Sequence, residues 1–183
     1  MYFQEAGQLD QAKTLLEGLA QSDPNDVEVL NLLGVTYWKL GSHQEAIAAF
    51  HKALTLDRGY AGLYNNLGSV YMSQQDYSRA NEYFEKALEY DSNLASAHNG
   101  MGVIMARNNQ LAGAVLEWKK AVSLDKKQYD ALYNLCLLLT QMNQFDEALK
   151  YIELFVASAP ASQYATDIEK MKKLQDEIKK IIK

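Results

Sequence analysis

The residues of this chain that could support acid–base, metal or nucleophilic chemistry are few and widely separated. Its histidines, His43, His51 and His98, do not have the spacing that places two imidazoles on one helix face for a metal ion. Cys136 has no histidine nearby in the sequence to activate its thiol. The segment Gly100-Met101-Gly102 lacks the preceding strand that a dinucleotide-binding loop requires. The sequence therefore predicts no enzyme active site, no cofactor and no metal.

The composition indicates a folded chain that does not bind nucleic acid. Of its 183 residues 48% are apolar and 22% are charged, which is typical of a chain with a packed core. Its 18 basic and 23 acidic residues give a net charge of −5, the wrong sign for neutralising phosphates. No apolar run reaches the roughly 18 residues of a transmembrane helix, and one cysteine excludes an intramolecular disulfide. The compartment stays open, and a cytoplasmic location is the slightly favoured expectation.

A period of 34 residues organises most of the chain. The motif Asn-x-Leu/Met-Gly occupies 31–34, 65–68 and 99–102. An Ala-x3-aromatic-x2-Ala motif begins 12 residues after each of these glycines. Apolar positions inside each unit have helical spacing, so each unit is predicted to form two helices. The frame comprises a partial unit 1–26, full units 27–60, 61–94, 95–128 and 129–162, and a remainder 163–183.

This pattern resembles the tetratricopeptide repeat family, whose signature combines Leu-Gly, Tyr and Ala-x3-Phe-x2-Ala over 34 residues. The unit that matches best carries Tyr64, Leu67, Gly68, Tyr71, Ala80, Phe84 and Ala87. The resemblance covers 1–162. It implies an all-α fold, a right-handed α-solenoid of stacked antiparallel helix pairs with a concave side, formed by 1–183 as a single array. Because the first unit begins at its ninth position, we expect a piece of a longer protein or a trimmed chain.

Two recurring positions predict how the helices of a pair meet. Gly34, Gly68, Gly102 and Cys136 occur where a small side chain would allow two helices to approach closely, since glycine within a helix is otherwise unfavourable. Gly7, Gly41, Asn109 and Asn143 share a second position, and we expect them to end a helix in the left-handed conformation, with Gln75 as the exception.

The segment 163–183 departs from the repeat and is predicted to be a capping helix. An apolar stripe runs along it among charged residues, and we expect it to cover the last helix pair. A coiled-coil or membrane-surface contact is the alternative. The stripe consists of Ile168, Met171, Leu174, Ile178, Ile181 and Ile182.

The resemblance implies that the first helix of each pair lines a concave groove, and this places the candidate binding site. Asn31, Asn65 and Asn99 form a ladder, and asparagine can both donate to and accept from a peptide backbone. Large groove residues such as Trp38 and Tyr133 could anchor a partner. Alternatively, the asparagines bond to one another and Trp38 packs on its neighbouring helix. The candidate residues are Asn31, Val35, Trp38, Lys39, Asn65, Asn66, Ser69, Met72, Asn99, Val103, Arg107, Tyr133, Asn134 and Leu137.

The predicted function is a protein–protein interaction scaffold that binds an extended peptide or partner segment in this groove. An accessory array that selects the substrate or partner of a larger enzyme or assembly is the alternative, and a self-associating structural module is a third possibility. A subgroup of the family grips the C-terminal carboxylate of chaperones with lysine and arginine side chains. The corresponding positions here lack those cations, which disfavours such a partner. They hold Asn31, Val35, Asn66, Ser96 and Gly100.

Overall fold

The computed structural model describes the backbone of residues 2–182 and the side chains of 7–182, and every regular element in this part of the chain is an α-helix. Two compact units divide the chain, Met1–Ser92 with α1 to α5 and Asn93–Lys183 with α6 to α10. The helices are α1 (Tyr2–Ser22), α2 (Val27–Lys39), α3 (His43–Leu56), α4 (Ala61–Ser73), α5 (Tyr77–Tyr90), α6 (Ala95–Arg107), α7 (Leu111–Leu124), α8 (Tyr129–Gln141), α9 (Phe145–Ser158) and α10 (Ala161–Ile181).

The helices repeat with the predicted period, and this confirms the all-α, solenoid-type fold. In each of the four full repeats a first helix of 13 residues is followed by a second helix of 14. The two helices of a repeat contact each other extensively across a short turn, so they form an antiparallel pair. The first unit contains the pairs α2/α3 and α4/α5, and the second contains α6/α7 and α8/α9.

A glycine facing an aromatic ring sets the closest approach within three of these pairs. A Cβ atom placed on Gly68 would lie 2.7 Å from Cε1 of Phe84, a ring that is only 1% exposed. Gly34 meets Phe50 in the same way, and Gly102 meets the indole of Trp118. The predicted role of the small residues is therefore confirmed at the three glycines. Cys136 holds the same position in the fourth pair and is fully buried.

Residues with left-handed backbone end the first helices, although not at every predicted position. Gly41, Asn109 and Asn143 have φ angles of 78°, 59° and 57°, as predicted. Gln75 was expected to be the exception, but its φ angle of 62° is also left-handed. The turn needs this conformation whichever residue occupies the position. The prediction for Gly7 is wrong, since α1 continues through it. Glycine permits the left-handed conformation without imposing it.

Aspartates with the 34-residue spacing shape the breaks between repeats. A carboxylate oxygen of Asp57 accepts the backbone N–H of Gly59 at 2.9 Å. Asp23 does the same for Asn25 at 3.1 Å, and Asp125 for Lys127 at 2.9 Å. Such Asx turns satisfy backbone donors that a helix end leaves free. At Asp57 and Asp125 they help to explain how the break forms without the proline of the family signature, which is present after Asp23 as Pro24.

The helix α10 packs on the last repeat through most, though not all, of its predicted stripe. Ile168, Met171 and Ile178 are buried in one core cluster with α8 and α9, and Leu174 packs against that cluster. The prediction is wrong for Ile181 and its neighbour Ile182, which are 64% and 49% exposed. These two residues follow the last contact that α10 makes with the core cluster. No helix among residues 2–182 combines the length and hydropathy needed to span a bilayer.

Tyr164 connects the beginning of α10 to α8 and α9. The helix is kinked at this residue, where φ is −116° and ψ is 19°. The Tyr164 ring lies edge-on to Phe155 with their centroids 5.8 Å apart, and its hydroxyl donates to Asp130 Oδ1 at 3.0 Å. Burial and this bond raise the pKa of Tyr164 to about 12. The kink therefore turns the ring toward both helices of the preceding pair.

Substituting alanine for Gly68 and for Gly18 should change stability in opposite directions. In Gly68→Ala the new methyl group clashes with the buried Phe84 ring, so we expect a loss of about 1–3 kcal/mol in the free energy of unfolding. Gly18 also lies inside a helix, but no atom would come within 4 Å of its Cβ. Gly18→Ala should be neutral or stabilise by up to about 1 kcal/mol. Urea unfolding of both variants measures this, and equal effects would contradict the close contact.

Two isoleucines of α10 provide a matched test of its packing. Ile178→Ala removes a side chain that is 1% exposed, and the loss should be about 2–5 kcal/mol. Ile181→Ala shortens a side chain that is 64% exposed and should stay within about 0.5 kcal/mol of the wild type. Thermal melts of both variants are the measurement. A stable Ile178→Ala variant would show that α10 does not contribute to the core.

Candidate functional site

The asparagine ladder is partly engaged within the first unit. The side-chain amide of Asn66 donates from Nδ2 to Oδ1 of Asn31 at 2.9 Å, which joins the first helices of two neighbouring repeats. Bonding between asparagines along the stack was the alternative to direct ligand binding, and it describes this pair. Asn31 and Asn66 thereby hold α2 and α4 in register.

Trp38 also bonds to the neighbouring repeat. Its indole Nε1–H donates to Oγ of Ser73 at 3.3 Å. The Ser73 hydroxyl donates in turn to the carbonyl of Val70 at 2.7 Å and lies 3.5 Å from His43 Nε2. The ring stays partly exposed, so Trp38 contributes to the α2/α4 contact and also presents apolar surface.

Asn65 and Asn99 occupy corresponding ladder positions in the two units, and each has a buried Oδ1 without a hydrogen-bond partner among the described residues. An unsatisfied buried acceptor costs about 1–3 kcal/mol. Ser69 donates to the backbone carbonyl of Asn65 at 3.0 Å, so its hydroxyl does not serve that amide. The amides of Asn65 and Asn99 are therefore the two asparagine groups with a buried acceptor oxygen that lacks a bond within the described part of the chain.

The remaining predicted residues on α2, α4 and α6 differ in exposure. Val35, Met72 and Val103 are half-buried, whereas Lys39 and Arg107 are exposed in the last turns of their helices. Val103 packs against the core cluster of the second unit, so part of its side chain is committed to stability.

A cavity in the second unit brings two predicted residues together. It has a volume of about 240 Å³ and lies between α8 and α10. Tyr133 and the 41% exposed Leu137 contribute from α8, whereas Asn134 of the same helix is half-buried and does not line the cavity. The Tyr133 ring is fixed against Phe155, with their centroids 5.7 Å apart.

The other wall of this cavity comes from α10 and was not predicted from the sequence. Met171 and Leu174 extend the apolar lining, and Lys170, Lys173 and Glu177 surround it. Residues 170, 173, 174 and 177 have the spacing of one helix face, which was the signal available in the sequence. The stripe that includes Leu174 was expected to cap the last helix pair or to make a coiled-coil or membrane-surface contact, and neither expectation placed a cavity beside α8.

The charges around the cavity are mainly basic. Lys170 forms a 3.0 Å ion pair with Asp167, and this bond raises the pKa of Lys170. No ion pair of Lys173 occurs among the described residues. The arrangement can therefore accept an apolar side chain with a negatively charged group next to it.

His98 and Cys136, which were considered for chemistry, are packed within helix pairs. His98 contacts Glu117 on the other helix of its pair, with Nδ1 2.6 Å from Oε2. Burial raises the pKa of the Cys136 thiol to about 12, so it remains protonated near neutral pH. Among the side chains of residues 7–182, no group of three His, Cys, Asp or Glu residues lies close enough to hold a metal ion.

Comparison with known sequences agrees with this architecture. Models of the tetratricopeptide repeat family match residues 1–26, 26–92, 65–131 and 129–162, which together extend from residue 1 to residue 162. The chain belongs to the tetratricopeptide repeat family. No curated protein sequence matches this chain. The family assignment therefore rests on the matches of the family models to the repeats.

Solved structures of other tetratricopeptide repeat proteins are similar in fold. The protein MamA is 25% identical with a TM-score of 0.66, and the alignment covers 84% of this chain and 90% of MamA. The protein pilF of Pseudomonas aeruginosa is 19% identical with a TM-score of 0.76, covering 96% and 83%. The protein YrrB, described as having an unusual peptide-binding site, is 21% identical with a TM-score of 0.60, covering 92% and 87%.

The thiol of Cys136 should be unreactive in the folded tetratricopeptide repeat chain. A buried thiol with a raised pKa presents almost no thiolate at pH 8. We expect the native chain to react with a chromogenic disulfide reagent at least about a hundredfold more slowly than the chain in denaturant. Because the sequence contains one cysteine, both rates report the same group. Equal rates would show an accessible thiol and reopen the question of a nucleophile.

Proposed function

We propose that this tetratricopeptide repeat chain is a non-catalytic interaction module that binds peptide segments of partner proteins through the first helices of its repeats. The cavity between α8 and α10 is the observation that carries this proposal. Its lining combines Tyr133 and Leu137, both expected at the binding surface, with exposed basic groups on α10.

The size of the cavity favours a peptide side chain over a metabolite. Its volume of about 240 Å³ lies below the roughly 300–1,000 Å³ of small-molecule sites. One bulky apolar side chain could bury against Leu137, Met171 and Leu174 while its backbone stays outside. Tyrosine at such a site offers a large contact area at a small cost in conformational entropy.

The first unit supports the same proposal through its first helices. The 51% exposed side chain of Leu32 and the partly exposed Trp38 ring provide apolar surface on α2. The amide groups of Asn65 in this unit and Asn99 in the second are the proposed partners for a peptide backbone, with their side chains turned outward so that the buried oxygens become accessible. The pair Asn31–Asn66 would hold the helices in place, because its amides already bond to each other.

Similar proteins favour the same class of ligand. YrrB is described by its peptide-binding site, and we extend only that class of ligand to this chain. Selection of the substrate or partner of a larger enzyme or assembly would use the same surface and remains the alternative. The expectations of a cytoplasmic location, of possible self-association, of no nucleic-acid partner and of no chaperone carboxylate remain predictions.

Two exposed leucines provide a matched test of the cavity. Peptides would first be selected on the immobilised full chain from a displayed random library, and the best one titrated by calorimetry. Leu137→Ala should weaken binding by about tenfold or more, since burying an apolar side chain contributes about 1.5–3 kcal/mol. Leu116→Ala is the control, because Leu116 is 67% exposed on the second helix α7.

Melting temperatures of both variants should stay close to that of the wild type, so that a change in affinity reports on the cavity. Equal affinities of wild type and Leu137→Ala would reject the cavity as the anchor site. Selection of no binding peptide at all would reject the proposed function.

A further inference from the structure

A second cavity, in the first unit, is lined largely by the second helices of neighbouring repeats. Its volume is about 280 Å³. It opens between α3 and α5, with Tyr64 of α4 completing the wall. None of its residues was expected at the binding surface. The lining consists of His51, Leu54, Thr55, Arg58, Tyr64, Tyr83 and Lys86.

The lining is basic in a chain that is acidic overall. Three of the seven residues, His51, Arg58 and Lys86, are basic and none is acidic, whereas the whole chain has a net charge of −5. Neither Arg58 nor Lys86 forms an ion pair within residues 7–182. These two positive charges are therefore available to an external anion.

Stacked tyrosines hold the walls of the cavity in place. Tyr64 stacks on Tyr90 with their centroids 5.2 Å apart and a tilt of 7°, and its hydroxyl donates to the carbonyl of Arg58 at 3.1 Å. Tyr83 stacks on Tyr71 at 5.3 Å with a tilt of 5°. Binding to such fixed walls does not require ordering of the rings, which lowers its entropic cost.

The electrostatics inside the cavity agree with its charge. Nε2 of His51 lies 3.4 Å from the hydroxyl of Tyr83, and Lys86 Nζ lies 5.5 Å from the centroid of the Tyr83 ring. Burial, and after it the charge of Lys86, lower the pKa of His51. The positive charge of Lys86 thus acts on His51, another residue of the cavity lining.

We infer that this cavity binds a carboxylate side chain from an acidic peptide segment of a partner protein. Arg58 and Lys86 would supply the opposite charge, and the hydroxyl group of Tyr83 would supply a hydrogen bond. Leu54 offers an apolar contact for the methylene groups of a glutamate. The volume of about 280 Å³ suits one or two side chains and is small for a nucleotide.

A singly charged carboxylate suits the site better than a phosphate. Thr55 is in the last turn of α3, which ends at Leu56, and Arg58 follows closely. The C-terminal end of a helix carries partial negative charge, which repels a dianion more strongly than a single charge. This site is separate from α8 and α10, so it does not depend on the peptide cavity proposed above.

The test titrates capped tetraglutamate into the ¹⁵N-labelled full chain at low salt and follows amide shifts. Shifts should concentrate at the seven lining residues. The double variant Arg58→Gln/Lys86→Gln should raise the dissociation constant at least about tenfold, because charge-assisted bonds are lost. Lys126→Gln/Lys127→Gln makes the same change in net charge at exposed positions in the second unit and should bind like the wild type.

Further variants distinguish carboxylate binding in this cavity from binding elsewhere on the chain. Thr55→Glu, which places a carboxylate in the cavity, should abolish the shifts. This variant is the test if Arg58→Gln/Lys86→Gln does not fold. Leu137→Ala should leave tetraglutamate binding unchanged, which separates this inference from the proposed function. Equal affinities of the two double variants, or shifts confined to other residues, would overturn the inference. Tighter binding of inorganic phosphate at the same residues would also overturn it.

Discussion

The contact between a small residue on the first helix and a large side chain on the second is the constraint on which each repeat depends. Where the residue is glycine, the helix backbone approaches the ring closely enough that a Cβ atom would lie 2.5–2.7 Å from the nearest ring atom. The ring then fills the space between the two helices, and the alanines at 46, 80 and 114, all fully buried, allow the close packing around it. The glycine and its aromatic partner recur every 34 residues in the sequence because this contact recurs in the fold.

The same contact determines which surfaces are available for binding. Because one face of each helix packs inside its pair, the groups that can serve neighbouring repeats or ligands lie on the other faces. Between α2 and α4 the bonds Asn66–Asn31 and Trp38–Ser73 use such groups to join neighbours. Between α8 and α10, and between α3 and α5, the neighbours leave cavities of about 240 and 280 Å³. The faces outside the pair contact therefore carry both the bonds between neighbours and the cavities proposed to bind partners.

The candidate site could be predicted only in part, and particular residues show why. Tyr133 and Leu137 follow from the repeat frame, because their positions on the first helix determine the face on which they lie. Lys173 and Leu174 lie outside the frame, so no comparison between repeats could place them opposite α8. His51, Arg58 and Lys86 come from two repeats and do not share a repeat position, so the period gives no indication that they meet.

The sequence by itself determined the helices, their pairing and most of the turns between them, because these depend on helical periodicity and on recurring glycine, asparagine and aspartate within one unit. Even the left-handed Gln75 lies at a position that the period identifies. Only the tertiary structure decided which asparagines bond to each other, that Ile181 stays exposed, and which side chains enclose the two cavities. Those outcomes depend on distances between helices that are far apart in the chain, and a local pattern does not contain such distances.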